Sequence, residues 1–350
     1  MDAPHAQSRR RRHERVLRGP SIADIAREAG VGTATVDRVL NGRDSVREVT
    51  RTRVLTALTR LGSGASSEAA PPRRKIGFLS DSGTSFNGRL ADAVREYCRN
   101  HPEIECPFEA VTTSQVDPIK LANQIERTAE SVEALVIVAR EDIIINRAIR
   151  SVVARRVPVA CLTTDLPTSG RAAYIGSDQA GAGATAGYLM GQMVGARSGK
   201  ILLICSAPYR CQEERELGFR RVLRSEFSHL DVDERVNSRD DTEFVYRNVV
   251  KYIEDHGAPT GIYNVAGGNL GAGRALTDLE LQGKVTLIGH ELNTNSRMLM
   301  ETGIMHFAIG HDVDLEVAQA IEFLRAQLDN HPIAAPPYAR VRVYTKYNCY

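Results

Sequence analysis

The stretch from Ser21 to Leu61 constrains this chain more than any other. Its first half reads SIADIAREAGVGTATVDRVLNG. Ile22, Ile25, Ala26 and Ala29 recur at helical spacing and give one apolar face behind a Ser21 N-cap. Gly30 supplies the backbone freedom that ends a first helix, and Val31 fills the angle that follows. Val36, Val39 and Leu40 form the buried side of a second helix, which leaves Thr33, Ala34, Thr35 and Arg38 facing outward. A third helix turns Val54, Leu55, Leu58 and Leu61 inward and carries Arg47, Arg51, Arg53 and Arg60. Helix, tight turn and helix with these caps predict a helix-turn-helix whose outer side suits a DNA major groove. An ordinary small helical bundle with a solvated basic face is the plainer alternative.

Charge is uneven in a way that fits this reading. Residues 1–62 hold 13 arginines against 7 acidic residues, a net of +6, while the remaining residues hold 32 basic against 36 acidic, a net of −4. A basic head on a mildly acidic body suits an anionic polymer at one end. The arginines at 9–12, 15 and 18 read either as a phosphate-binding arm or as a solubilising tail. No run of 18 apolar residues occurs, and the early arginines have no apolar stretch behind them, so neither a membrane span nor a secretory signal is expected. Six cysteines, with no CxxC and no histidine pair at ligand spacing, predict reduced thiols in a cytoplasmic protein without a metal or other cofactor.

Beyond Leu61 the sequence GSGASSEAAPP reads as a flexible linker. Strands and helices then alternate. Strands are predicted over 76–79, 134–138, 157–162, 173–176, 200–204, 261–264 and 285–289, with 342–344 as a candidate last one. Helices are predicted near 88–100, 144–154, 184–194 and 213–225. Continuous apolar strands alternating with helices imply two doubly wound parallel sheets, which hold ligands at the carboxyl ends of their strands.

With these elements in view the chain resembles the LacI/GalR family of bacterial transcription regulators from Ser21 onward. The resemblance rests on DIAREAGVGTATVDRVLNG followed by TRTRVLTALTRLG, and on VPVACLTTD, YIGSDQAGAGATAGYL, EERELGFR and IGHE in the larger part. It implies an α/β protein with an N-terminal all-α helix-turn-helix domain and a two-lobed, periplasmic-binding-protein-like core. The expected layout is a basic arm at 1–20, a DNA-binding domain at 21–62, a linker at 63–73 and an effector-binding domain at 74–350. The first lobe would take about 74–176 and 312–338, the second about 177–311 and 339–350.

Carried over from the family, Thr33, Ala34 and Arg38 match positions facing base edges, where Arg38 could fork onto guanine or else hold a phosphate. Ser21, Thr35, Asn41 and Arg51 match positions that grip the sugar-phosphate backbone. Gly32 replaces a capping Ser or Thr, and Asp37 replaces a Ser, where it could orient Arg38 or Arg43. The family's minor-groove hinge helix has no counterpart in the Gly-Ser-Ala-Pro linker, so less DNA bending is expected. For the effector, Arg215 matches a family arginine that forks onto sugar hydroxyls; a surface salt bridge to Glu213 or Glu216 is its alternative. Phe86 matches an aromatic that stacks on the sugar face, with a core role as alternative. Asp165 is a substitute for the family's aspartate, whose own position aligns with Thr163. Glu291 stands at a strand-end aspartate position, His311 replaces a Gln or Asp, and either Asn264 or Asn269 lines the pocket.

Enzyme readings find little support. GGNLGAG at 267–273 lacks the G-x-G-x-x-G order, and GARSGK at 195–200 is one residue short of a P-loop and precedes its strand. The expectation is therefore a cytoplasmic homodimeric regulator, by default a repressor, which reads an inverted-repeat operator in double-stranded DNA and responds to a sugar or polyol.

Overall fold

The computed structural model describes residues 21–41, 46–62 and 73–350. The arginine-rich arm, Gly42, Arg43 and the linker at 63–72 lie outside the described residues. The chain divides into two compact units, Met1–Pro72 and Arg73–Tyr350.

Among the described residues the smaller unit holds three helices: α1 (Ile22–Ala29), α2 (Thr33–Leu40) and α3 (Glu48–Gly62). The Ser21 hydroxyl accepts from the Asp24 amide at the start of α1. Gly30 closes α1 in the left-handed region (φ 60°), and the Val31 amide reaches back to the Ala26 carbonyl at 3.0 Å. That αL cap turns the chain directly into α2. Ile25, Ala26, Ala29, Val36, Val39, Val54 and Ala57 form the core, with Val31, Val46 and Leu58 against it. Three expected core residues are instead exposed: Ile22 (41%), Leu40 (42%) and Leu55 (47%). Each lies at the edge of its helix's apolar stripe, and three short helices enclose too little volume to cover a wide stripe. Ala57, small enough for close helix approach, takes an inward place that the hydrophobic pattern did not assign.

The larger unit opens with β1 (Arg74–Ser82), α4 (Thr84–Asn100), β2 (Ile104–Glu105), β3 (Phe108–Thr112), α5 (Pro118–Thr128), β4 (Ala134–Val138), α6 (Ile143–Ala154), β5 (Val159–Leu162) and β6 (Ala173–Ile175). A second run follows: α7 (Gln179–Val194), β7 (Gly199–Cys205), α8 (Arg210–Glu226), β8 (Leu230–Asn237), α9 (Thr242–His256), β9 (Gly261–Asn264), α10 (Asn269–Asp278), β10 (Thr286–His290), α11 (Thr294–Glu301) and β11 (Phe307–Gly310). Then α12 (Val313–Leu328) returns to the first lobe, where it joins the core of Ile76, Phe78 and Val136, and β12 (Arg342–Tyr344) adds to the second sheet.

The first sheet runs β2-β1-β4-β5-β6, with β3 also against β1, and every pair is parallel. The second runs β12-β11-β10-β9-β7-β8, parallel except where β12 meets β11. Each central strand feeds two cores, because its side chains alternate between faces and helices cover both. In β4, Ala134, Val136 and Val138 join one core while Leu135 and Ile137 join the other. In β7, Leu202 and Ile204 face one way and Ile201 and Leu203 the other.

Three of the strands that periodicity did not predict have physical reasons for their silence. β3 and β8 pair on one side only, and their half-exposed FEAVT and LDVDERVN sequences carry charges that break any apolar run. β11 is only four residues long. α7 starts at Gln179 rather than Ala184, because its glycines read as loop while Asp178 caps it through the Gly181 amide.

The glycines and alanines of α7 serve a close helix pair. A Cβ on Gly183 would lie 1.9 Å from the Arg215 carbonyl oxygen, and one on Gly218 would lie 2.0 Å from that of Ala180. Thus α7 and α8 meet backbone to backbone, and this contact fixes how deep Arg215 sits.

Candidate functional site

In the small unit, Thr33, Ala34, Arg38 and Asn41 are exposed, while Thr35 and Arg51 are half-buried. Gly32 begins α2 with no side-chain cap, so the first amides of that helix face outward without a side-chain oxygen from the cap position. Asp37 turns to Asn41 rather than to Arg38. Its Oδ1 accepts from Asn41 Nδ2 at 2.9 Å, and the same amide donates to the Asp37 carbonyl at 3.0 Å. Asn41, expected to hold the DNA backbone, is therefore also the lock on the end of α2.

In the large unit a cleft of about 800 Å³ opens where both sheets present their carboxyl ends. Ser82, Val138 and Thr163 arrive from the ends of β1, β4 and β5; Tyr209, Asp240, Val265 and Glu291 arrive from the ends of β7, β8, β9 and β10. This is the crevice that strand polarity creates in doubly wound sheets.

The structure brings Phe86, Arg215, Asn269 and Glu291 together in the lining. Phe86 also packs on the first-lobe core, so its two expected roles coincide. Arg215 is 5% exposed and makes no surface bridge to Glu213 or Glu216; Glu216 is taken by Arg220 and Arg235. Asn269 lines the cleft, whereas Asn264 lies fully buried behind it, donating to Asn269 Oδ1 at 2.7 Å. Asp165, expected in the site, lies outside the lining. It is forked by Arg171 at 2.5 and 2.6 Å, and Thr163, with φ at 60°, takes the lining position instead. His311 is also outside the lining, buried directly behind Glu291.

A closed ring of polar contacts underlies this floor. Gln179 Nε2 donates to the Thr163 carbonyl at 2.9 Å, and Arg215 Nε donates to Gln179 Oε1 at 2.8 Å. Arg215 Nη2 is 3.8 Å from Glu291 Oε1, which is 3.2 Å from His311 Nε2. His311 Nδ1 is 2.8 Å from Glu316 Oε1, and the Thr163 hydroxyl donates to Glu316 Oε2 at 3.3 Å. The His311 contacts are short in distance, but its ring nitrogens make no well-directed hydrogen bond. They are best described as ion pairs. Glu291 holds a left-handed backbone (φ 68°) at the end of β10, pinned by its amide to the Ile309 carbonyl and by the Ser296 hydroxyl on its own carbonyl. Such strain in a pocket wall marks a position that the surrounding structure over-determines. The ring joins first-lobe groups (Thr163, Glu316) to second-lobe groups (Arg215, Glu291) through the crossing segments.

Burial disfavours a charge on His311, yet the Glu316 and Glu291 carboxylates hold its pKa well above the ordinary value. Burial likewise works against the Glu291 carboxylate, but His311 and then Arg215 bring its pKa below the usual range. His290, in the lining and within 2.8 Å of the Tyr263 hydroxyl, is pushed well below the histidine range by burial first and then by Arg215. A raised histidine stabilises fully below about pH 6.5 and loses that contribution as pH rises through its folded value; the depressed Glu291 contributes above about pH 4.5 and loses it as pH falls. His311→Gln leaves the fully buried Glu316 carboxylate without its cation and is expected to cost about 3–5 kcal/mol. It should also remove the alkaline decline in stability attributable to His311. Unfolding midpoints measured from pH 6 to 9 check this: parallel curves for variant and wild type would rule out a charged His311.

On the cleft's other side the lobes touch through residues that sequence reasoning missed. Thr113 in the first lobe donates to Asp240 Oδ2 at 2.6 Å, and the Tyr209 hydroxyl donates to Asp81 Oδ1 at 2.7 Å. Arg140 forks onto Asp81 at 2.6 and 2.9 Å, and the Glu141 amide donates to the Pro208 carbonyl at 3.0 Å. Arg239 and Asp240 both have positive φ. The one available signal was position: each stands at or just beyond a strand's carboxyl end, where doubly wound sheets place their ligand-facing loops.

Comparison with known proteins finds two family models in this chain. Residues 76–332 match a model described as periplasmic binding protein domain, and residues 21–62 match one described as bacterial regulatory proteins, lacI family. Among curated relatives, HTH-type transcriptional regulator RegA of Clostridium saccharobutylicum is 60% identical over 42 residues, 12% of this chain and 13% of the relative. HTH-type transcriptional repressor PurR of Photobacterium profundum is 33% identical over 108 residues, 29% of this chain and 32% of the relative. The chain thus spans less than a third of the length of these relatives. Among solved structures, a transporter solute-binding protein from Agrobacterium vitis with bound D-fucose superposes with a TM-score of 0.72 at 18% identity, covering 78% of this chain and 96% of that one. That likeness concerns the fold.

Proposed function

Because this chain belongs to the periplasmic binding protein domain family over most of its length and carries the helix-turn-helix head of the bacterial lacI family, we propose that it is a DNA-binding transcriptional regulator governed by a small hydroxylated ligand in the cleft. The observation that carries the sensor half is the convergence of Phe86, Arg215 and Glu291 on one cleft above the ring of polar contacts. An aromatic face, an arginine fork and a carboxylate suit a ring with several hydroxyls. Charge narrows the class. The lining carries Asp92, Asp240, Asp241, Glu243 and Glu291 against Arg89 and Arg215. Arg89 is engaged by Asp314, and Arg215 by Gln179, the Val265 carbonyl and Glu291. An uncharged sugar or polyol therefore fits better than a phosphorylated or acidic one.

The DNA half follows from the exposed outer face of α2. Two copies of the chain reading an inverted repeat is the symmetric arrangement such a head favours. Binding of DNA implies work in the cytoplasm, and among the described residues no helix is long and apolar enough to cross a membrane. The ligand acts as a signal here and leaves unchanged, in a protein that regulates rather than catalyses. Repression relieved by ligand is the expected sign. Coupling of about 1–3 kcal/mol between the cleft and the DNA-bound form changes occupancy about 5- to 150-fold.

Two measurements test the reading. In a thermal-shift screen, a ligand that binds only the folded protein adds about 2.7 kcal/mol at a hundredfold excess over its Kd. Neutral sugars or polyols should raise the midpoint and sugar phosphates should not; a response to the phosphates alone would reverse the charge argument. Selection from random duplex should enrich an inverted repeat, and a pool that stays random at moderate salt would overturn the DNA-binding half.

A further inference from the structure

The last residue of β10 is a buried histidine with one ring nitrogen to spare. His290 is 2% exposed, lines the cleft, and holds its Nε2 at 2.8 Å from the Tyr263 hydroxyl. Tyr263 is fully buried and stacked on Phe219, and among the described residues its hydroxyl has no other partner. A buried phenol that accepted here would leave its own proton without an acceptor, so Tyr263 donates and Nε2 accepts. The ring is neutral. It is buried, and unlike His311 it has no carboxylate paired with it among the described residues; burial first and then Arg215 keep its pKa well below the ordinary value. A neutral imidazole that accepts at Nε2 carries its proton on Nδ1. Among the described residues Nδ1 meets no partner, and it is not one of their sealed, unpartnered polar atoms, so it opens on the cleft that His290 lines.

More donors stand beside it. Asn269 opens α10, and its side-chain amide donates to the His290 carbonyl at 2.9 Å, so the two elements meet at this point of the wall. Helices α9 and α11 also start at the cleft, and each is capped by its own side chain, Asp241 and Asn293. α10 starts behind Gly268 with no side-chain cap, which leaves its first amides, those of Asn269 and Leu270, facing the cleft lining. We propose that His290 is a specificity-determining residue, fixed by Tyr263 as an Nδ1–H donor, which together with the first amides of α10 takes a ligand oxygen that carries no proton: the ring oxygen of a cyclic sugar. This rests on the hydroxylated-ligand reading given above. An ether oxygen needs only donors, whereas a hydroxyl at the same point would have its own proton left without an acceptor. The carboxylates elsewhere in the lining, such as Asp240 and Glu291, suit the hydroxyls. A pyranose supplies both kinds of oxygen. An alditol, the open-chain reduced form, keeps the hydroxyls and lacks the ring oxygen. Tyr263 does not line the cleft and acts through His290, as a positioning residue.

The test has two arms, both on the full chain. Two-bond nitrogen–proton correlation spectra of the histidine rings read the tautomer without any ligand. The His290 signals, assigned by their loss in a His290→Phe/Tyr263→Phe double variant, should show a protonated Nδ1 and a bare Nε2, and Tyr263→Phe alone should release the ring to a mixture of tautomers. A proton on Nε2, or on both nitrogens, at neutral pH in the wild type would overturn the assignment. The second arm is calorimetric titration with D-galactose, D-glucose, D-xylose and L-arabinose, each against its own alditol. The double variant removes the ring donor without orphaning the Tyr263 hydroxyl, and its unfolding midpoint establishes that it is folded. The wild type should prefer a bound aldose to its alditol, and the double variant should lose about 3- to 10-fold of that ratio, the net worth of one hydrogen bond. An unchanged ratio would sink the role of His290 alone and leave the ligand reading standing. A wild type that binds none of these sugars or alditols would sink both.

Discussion

Gly183→Ala should disable the sensor while leaving the DNA-binding head intact. The added methyl would stand 1.9 Å from the Arg215 carbonyl oxygen, and no side-chain rotation relieves a clash with backbone. α7 and α8 must then part. Overpacking of this kind costs on the order of 1–3 kcal/mol and sometimes more. The functional loss should be larger than the stability loss. Arg215 donates to Gln179 Oε1 at 2.8 Å and to the Val265 carbonyl at 3.1 Å, and both partners lie outside α8. A helix moved by even about 1 Å breaks that geometry and withdraws the guanidinium from the cleft. Ligand affinity should fall at least tenfold, to a level near that of Arg215→Ala, with DNA binding unchanged. Gly218→Ala should act in the same way, through the Ala180 carbonyl at 2.0 Å. Calorimetric ligand titration and thermal unfolding check this together. A variant with wild-type midpoint and wild-type affinity would mean that the helix pair yields freely and does not position Arg215.

Arg38→Ala should erase much of the preference for the operator over random duplex. Arg38 is exposed in the last turn of α2, with Ala34 one turn before it on the same outer face. A bidentate arginine–guanine contact carries about 1–3 kcal/mol of discrimination, roughly a 5- to 150-fold ratio. Loss of a phosphate contact would look different: binding would weaken about equally on all sequences, and the salt dependence would lose about one unit of slope. Binding isotherms on operator and random duplex at several salt concentrations separate the two. Equal losses on both duplexes would assign Arg38 to the backbone.

The small unit was legible because its rules are local. A serine cap, a glycine that must take positive φ and a 3.6-residue apolar period act within a few residues of chain, and the helices ran as those signals required. The central strands were legible for a similar reason: strands covered on both faces are continuous apolar runs. Sequence reading failed where burial depends on neighbours far along the chain. Leu40 and Leu55 carry the right chemistry at the right period, yet three short helices cannot cover them. β8 gave no apolar run, because it sits at a sheet edge and needs to bury only part of itself.

The candidate site divides along the same line. The sequence by itself determined, through strand polarity, that ligand-facing groups would stand at the carboxyl ends of the strands, and the family resemblance singled out the arginine at 215, the carboxylate at 291 and the aromatic at 86. Tertiary structure alone decided which of them face the cleft. It sent Asp165 to Arg171, set Asn264 behind Asn269, and placed His311 between Glu291 and Glu316, residues 25 positions apart in sequence. It also closed the lobes through Thr113, Asp240, Tyr209 and Asp81. The physical reason is that a charge or hydrogen bond acts through space over a few ångströms, and only the folded chain sets which groups come within that reach.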